Sequence, residues 1–201
     1  MATRKRMSPE ESRAAALAAA RDLLREGGMQ AITLKAVGAR IGRTHANLLH
    51  HFGSVDGLHG ALADQIAHEV AASITGSIGQ YRLGKTKLRH VVEEMFVAFR
   101  EQGIGQLVAW VVLSGRRDAL EPIQKAVAQV VVDISGTGDE RPLDRATLGL
   151  VLLAVGDSLV GREMADATDL DPSASYDIAV RQVLAVLGEY QRDPERRPPR
   201  V

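Results

Sequence analysis

The 201-residue chain has no cysteine. A disulfide framework, a thiolate metal site and a cysteine nucleophile are therefore excluded. Aromatic residues make up only 3% of the sequence. No stretch sustains the alternation of apolar and polar residues that a half-buried strand needs. The formal net charge is zero, from 25 Lys and Arg against 25 Asp and Glu. The longest apolar stretch, residues 146–156, is too short to span a bilayer. Residues 1–11 are basic but lack the apolar centre of a secretory signal. These absences leave a soluble cytoplasmic protein as the expectation. The hydrophobic share of 45% is enough to build a core over this length.

The zero net charge hides an asymmetry. Residues 1–54 hold nine Lys and Arg against four Asp and Glu, a surplus of five positive charges, and the remainder carries the matching negative surplus. His45, His50 and His51 also fall in the first segment. A small basic segment joined to a larger acidic one suggests a polyanion-binding module, most simply for nucleic acid. The plain alternative is an uneven but solvated surface.

Alanine, leucine and charged residues dominate, which favours helix throughout. Ser8-Pro9-Glu10-Glu11 combines a capping hydroxyl, proline in the first turn and acids on the helix dipole. Leu17, Ala20 and Leu24 give that helix an apolar face, and Gly27-Gly28 ends it. Thr33 caps a second helix with Leu34, Val37 and Ile41 inward, broken at Gly42. Thr44 caps a third, running to about Phe52. Gly53-Ser54 ends that one and starts a fourth, from 56 to about 81. Longer helices are expected over 86–102, 104–114, 119–135, 143–165 and 173–191, with a charged, proline-rich tail from 192 to 201. Helix 104–114 is apolar nearly all round and should be buried. The expected fold is all-α, about nine helices, with a DNA-binding head at 1–54 and a ligand-binding and dimerisation body at 55–201.

Residues 33–52 read as a short helix, a glycine turn and a second short helix, the spacing of a helix-turn-helix. The second helix would present polar residues to base edges in a major groove. On Ala31-Ile32-Thr33, Val37, Gly42, Thr44, Leu48, His50-His51-Phe52, Ser54 and Leu58, residues 12–62 resemble the TetR (tetracycline-repressor-like) family of bacterial transcription regulators. Beyond that segment only the length and helical layout agree. Arg43 stands where the family usually has an apolar residue, Leu49 where it has tyrosine and Val55 where it has lysine. The resemblance implies that such a tyrosine and lysine touch DNA phosphate, so their loss should weaken the electrostatic part of binding. Arg43 and the Arg4-Lys5-Arg6 run could compensate.

The expected DNA surface is Thr33, Arg43, Thr44, His45, Asn47 and His50, with Arg4, Lys5 and Arg6 from the N-terminal arm. Thr33 and Thr44 cap helices in any case, and as phosphate-facing caps they would add a contact. Asn47 suits adenine and His45 a guanine acceptor. His51, beside Phe52, is expected to pack or hydrogen-bond inside the domain.

The resemblance also implies a ligand-responsive dimer, usually a repressor, whose last two helices form a four-helix bundle with those of a second copy. The residues assigned to that interface are Leu148, Leu152, Val155 and Leu159 on one helix, and Tyr176, Val180, Val183, Leu184 and Leu187 on the next. The alternative for these stripes is a core within one chain. An effector pocket is expected among the middle helices, from Met95, Phe96, Phe99, Leu107, Trp110, Val111 and Leu113, with His90, Glu94 and Arg116 as possible polar anchors. For Trp110 itself, alone on a nearly all-apolar helix, the core reading is favoured, and the cavity reading falls to the phenylalanine side. The expected effector is small, apolar and uncharged. No cofactor and no metal is expected: His45, His50 and His51 lack the i, i+4 spacing of paired ligands.

Two other functions were open at this level. Gly156-Asp157-Ser158-Leu159 spells the signature of the GDSL hydrolases. It falls inside an apolar helix, however, and no histidine follows His90 to activate the serine. A helical adaptor or ligand carrier with weak or lost DNA binding would rest on Leu49 and Val55.

Overall fold

In the computed structural model, residues 8–115, 117–134 and 141–192 are described. Among these, nine α-helices and two short 3₁₀ turns account for all regular structure, with no strand. The helices are α1 (Pro9–Gly27), α2 (Leu34–Ile41), α3 (His45–Phe52), α4 (Val55–Arg82), α5 (Leu88–Glu101), α6 (Ile104–Leu113), α7 (Glu121–Ile134), α8 (Arg141–Ala167) and α9 (Ala174–Arg192).

The starts of the first four helices follow local chemistry. Ser8 and Glu11 form a reciprocal capping box on α1. Thr33 accepts from the amide of Ala36, Thr44 from that of Asn47 and Ser54 from that of Gly57. Each hydroxyl satisfies one of the amides a helix start leaves without a partner. Lower in the chain the boundaries shift. The helix expected from 86 starts at Leu88, after Lys87, which offers no side-chain cap. The helix expected from 119 starts at Glu121, behind a 3₁₀ turn at Arg117–Leu120.

α1 to α3 close around a small core of Leu24, Ile32, Val37 and Leu48, each almost fully buried. Arg13 of α1 ties the far end of α3: its guanidinium lies 4.7 Å over the Phe52 ring and donates to the His51 carbonyl. α4 then leads away. Leu58 and Leu62 belong to the same apolar cluster as the α1–α3 core, and the stripe continues through Ile66, Val70 and Ile74 between α5 and α7. α8 and α9 pack together and cover α5.

Helix α6 is less buried than its composition suggests. Ile104, Leu107 and Val111 face inward, while Val112 and Leu113 are exposed. An all-round apolar helix of ten residues at the molecular edge has one face too many for the neighbours it meets. Trp110 is half-buried, its ring edge-on to His59 at 5.1 Å.

Candidate nucleic-acid interface

The turn between α2 and α3 is built on two glycines. Gly42 is left-handed, with φ 66° and ψ 37°, a conformation a side chain resists. Gly38 is buried, and a Cβ there would sit 2.8 Å from the Arg43 carbonyl oxygen. The Arg43 amide donates back to the Gly38 carbonyl at 2.8 Å. This close approach fixes the angle between the two short helices, and it leaves the outer side of α3 free of other elements.

That outer side carries His45, Ala46, Leu49 and His50, all exposed, with Arg43 and Asn47 half-buried. Leu48 and Phe52 point the other way, into the core. A shallow hollow collects Thr33, Leu34 and Lys35 from the start of α2, His45 and Leu49 from α3, and Gly53, Ser54 and Val55 from the start of α4. Two helix N-termini thus open onto one surface beside a lysine and a histidine. That combination suits phosphate, through backbone amides, hydroxyl donors and positive charge together.

Of the residues assigned from sequence, Thr33 and His45 therefore meet in the hollow, Arg43, Thr44 and His50 lie on the turn and helix beside it, and Arg4, Lys5 and Arg6 fall outside the described residues. Asn47 departs from its assigned use. Its Oδ1 is shut off from solvent without a partner, so only the amide nitrogen is available outward. Bidentate pairing with adenine needs both atoms, so Asn47 must rotate before it can read a base that way. Lys35 was missed. Its signal in the sequence was a lysine two residues past the Thr33 cap in the basic segment. His51 stays within the domain, edge-on to His50 and Phe52, with its carbonyl held by Arg13.

The body holds a second feature, a cavity of about 290 Å³ enclosed by α4, α5, α7 and α8, with one or two residues each from α6 and α9. Met95 and Phe99 line it as assigned. His90, Glu94, Phe96, Leu107, Trp110, Val111 and Leu113 do not. His90 is exposed, Leu107 and Val111 are core, and Phe96 is fully buried edge-on to Tyr176 at 5.1 Å. Phe99 stands three positions after Phe96, about 60° round the helix, which turns one towards α9 and the other into the cavity. Arg116 lies outside the described residues. The lining that sequence missed is aliphatic and spread over four helices, as in Val70 and Ile74 of α4, Val130 of α7 and Val151 of α8.

The residues assigned to a dimer face also divide. Leu148, Leu152, Leu159 and Leu184 are exposed. Val183 is buried and lines the cavity with Leu187, while Val155, Val180 and Tyr176 are half-buried against the protomer's own core. The stripe through Tyr176, Val180, Val183 and Leu187 is the face by which α9 packs on its own chain. The outward face of α9 carries Ile178 and Leu184 instead.

Asp157 and Ser158 have structural partners. Asp157 is buried and accepts from Arg100 at 2.5 Å and from Ser175 at 2.6 Å, joining α8 to α5 and α9. The Ser158 hydroxyl donates to the Val155 carbonyl and fills the space beside Gly105. Among the described residues no three His, Asp or Glu side chains gather as metal ligands would, and no helix is long and apolar enough to cross a membrane.

No curated protein matches the chain. Residues 16–62, from α1 through the helix-turn-helix into α4, match the bacterial regulatory proteins of the tetR family. The matched span contains the glycine turn, the exposed side of α3 and the hollow at the starts of α2 and α4. Over that segment the chain is similar to the tetR family, and the match supports a DNA-binding transcriptional regulator.

Proposed function

We propose that this regulator works as a homodimeric repressor, released from a palindromic operator when a small apolar effector occupies the cavity in its body. Residues 1–54 hold the DNA, and residues 55–201 carry the effector site and the dimer face. One observation carries this reading. Helix α4 begins at Val55 in the hollow beside α3, and its last turns, Ile78, Tyr81 and Arg82, line the cavity. A rigid helix that touches both sites passes a displacement at one to the other. A second contact runs parallel to it: Gly103, between α5 and α6, lies against Leu24 of α1, where a Cβ would come within 2.5 Å. Phe99 and Ile104, on either side of that turn, line the cavity.

The exposed row of Leu148, Leu152 and Leu159 on α8, with Ile178 and Leu184 on α9, supports a second copy as partner. Contiguous apolar surface of this kind is costly to leave in water. Two copies would set their α3 helices about 34 Å apart, one turn of DNA, as symmetric half-sites require. Effector binding then favours a spacing that no longer fits. A bacterial DNA target implies a cytoplasmic site of action.

The test is to select duplexes from a random pool with the purified protein and sequence them. Two inverted half-sites about ten base pairs apart are expected. A single unpaired half-site would count against the dimer, and enrichment of no sequence would count against specific DNA reading.

A further inference from the structure

The outward face of α3 is apolar along its middle. Its exposed side chains are His45, Ala46, Leu49 and His50. At about 100° of rotation per residue, their order round the helix is His45, Leu49, Ala46, His50, within an arc of about 140°. The two histidines therefore form the edges of the face, and Leu49 and Ala46 form its centre. Leu48 and Phe52 take the buried side, and the Asn47 Oδ1 is shut off from solvent. Leu49 is 43% exposed in a domain that buries Leu17, Leu24, Leu34 and Leu48. A lone exposed leucine is ordinary on a protein surface. The informative point is its place, at the centre of the helix face that would enter a major groove.

The hollow beside α3 adds a position along the DNA. Leu49 stands in its wall with Leu34 and Val55, among Thr33, Lys35, His45 and Ser54, whereas Ala46 and His50 lie outside it. Leu49 is thus the central residue of the face that borders the hollow. A phosphate held at the hollow by Lys35 and by the amides that start α2 and α4 would lie next to it. The surplus of five positive charges over residues 1–54 argues that a polyanion, rather than a lipid or an apolar protein surface, brings the apolar group to Leu49. In the major groove thymine supplies such a group. Its C5-methyl is the one alkyl group on the base-pair edges there, and it lies on the side of the pyrimidine nearest its own backbone. A phosphate in the hollow and a methyl against Leu49 can therefore come from one strand.

We infer that Leu49 reads thymine, packing on the C5-methyl while a phosphate of the same strand sits in the hollow. This rests on the DNA-binding reading above and adds the base that is read. Leu49 then contributes sequence preference, not the salt-dependent attraction of a phosphate contact.

The test uses the duplex that the full-length protein selects from a random pool, with affinity read by fluorescence anisotropy. Each thymine in turn is replaced by deoxyuridine, which removes the methyl and keeps every hydrogen-bonding group and phosphate. At least one replacement should weaken binding roughly fourfold. At that position 5-methylcytosine should bind tighter than cytosine by a similar factor. Leu49→Ala should bind the thymine and uracil duplexes equally, with the salt slope of the parent, and Leu49→Met should keep the methyl dependence. Circular dichroism checks that both variants fold. A selected sequence without thymine, or with every thymine indifferent to uracil, would overturn the inference and leave DNA binding standing. Methyl dependence that persists in Leu49→Ala would assign the contact to another side chain and overturn the role of Leu49. Enrichment of no sequence at all would defeat the DNA-binding reading and this inference with it.

Discussion

The head and the body use their apolar residues in opposite ways. In the head, α1 to α3 place nearly every large apolar side chain in one small core, and the outer surface of α3 is left to histidines, Asn47 and Leu49. In the body, aliphatic side chains line a cavity on one side and form an exposed row along α8 and α9 on the other. A solid core makes a rigid presenter of surface groups, which is what contact with DNA needs. A hollow core and a bare face have free energy still to gain from a ligand and a partner. The difference teaches that the head covers almost all of its apolar side chains within the chain, whereas the body keeps a lined cavity and an exposed apolar row.

The sharpest break of this comparison would come from truncating one leucine in each region. Leu48→Ala, in the packed head, should cost about 2–5 kcal/mol and abolish DNA binding with it. Leu152→Ala, on the exposed row, should change protomer stability little. Urea denaturation of both variants would settle it, and equal losses would erase the distinction.

Gly38→Ala should cost about 1–3 kcal/mol, because the new methyl meets the Arg43 carbonyl. An unaltered melting temperature would mean the turn can relax. Leu148→Glu combined with Leu152→Glu should leave each protomer helical but yield monomers on size-exclusion chromatography, since charged side chains at an apolar interface have no partner. A stable dimer would move the interface elsewhere.

The smaller effects lie on the surface of the head. Arg43→Ala should weaken binding to all DNA alike and lower the salt slope by about one, as for one lost phosphate contact. Smallest is the pair between Arg40 and Glu26, at 2.7 and 2.8 Å. The hydrogen bonds from Arg40 hold the Glu26 carboxyl below its ordinary value. Its contribution is therefore present above the unfolded carboxylate range and lost as pH falls through the lower folded value. Glu26→Gln should shallow the acid limb of the pH–stability profile slightly, and a steeper limb would contradict the pairing.

Sequence was informative where local rules decide. The caps at Ser8, Thr33, Thr44 and Ser54 and the break at Gly42 are set by residues within four positions, and all of them form as expected. The glycine turn between α2 and α3 was legible for the same reason. The cavity was not, because it depends on how four separate helices meet. Periodicity shows that Phe96 and Phe99 are both apolar positions on α5, but not that Phe96 meets Tyr176 while Phe99 faces the cavity. Likewise it shows an apolar stripe on α9 through Val183, but not that this stripe is turned to the chain's own core. Asn47 illustrates the limit inside the head: its position on α3 was legible, the burial of its Oδ1 was not.

The central claim is that the head binds DNA through the hollow and the outer side of α3. The most direct measurement is fluorescence anisotropy of a labelled duplex, taken from the selected pool, titrated with the full-length protein at several salt concentrations. The account predicts saturable binding whose affinity falls steeply and linearly in log–log form with salt. It also predicts that Lys35→Gln and Arg43→Ala each reduce that slope. No binding at low salt, or binding whose salt slope is unchanged by both substitutions, would contradict it.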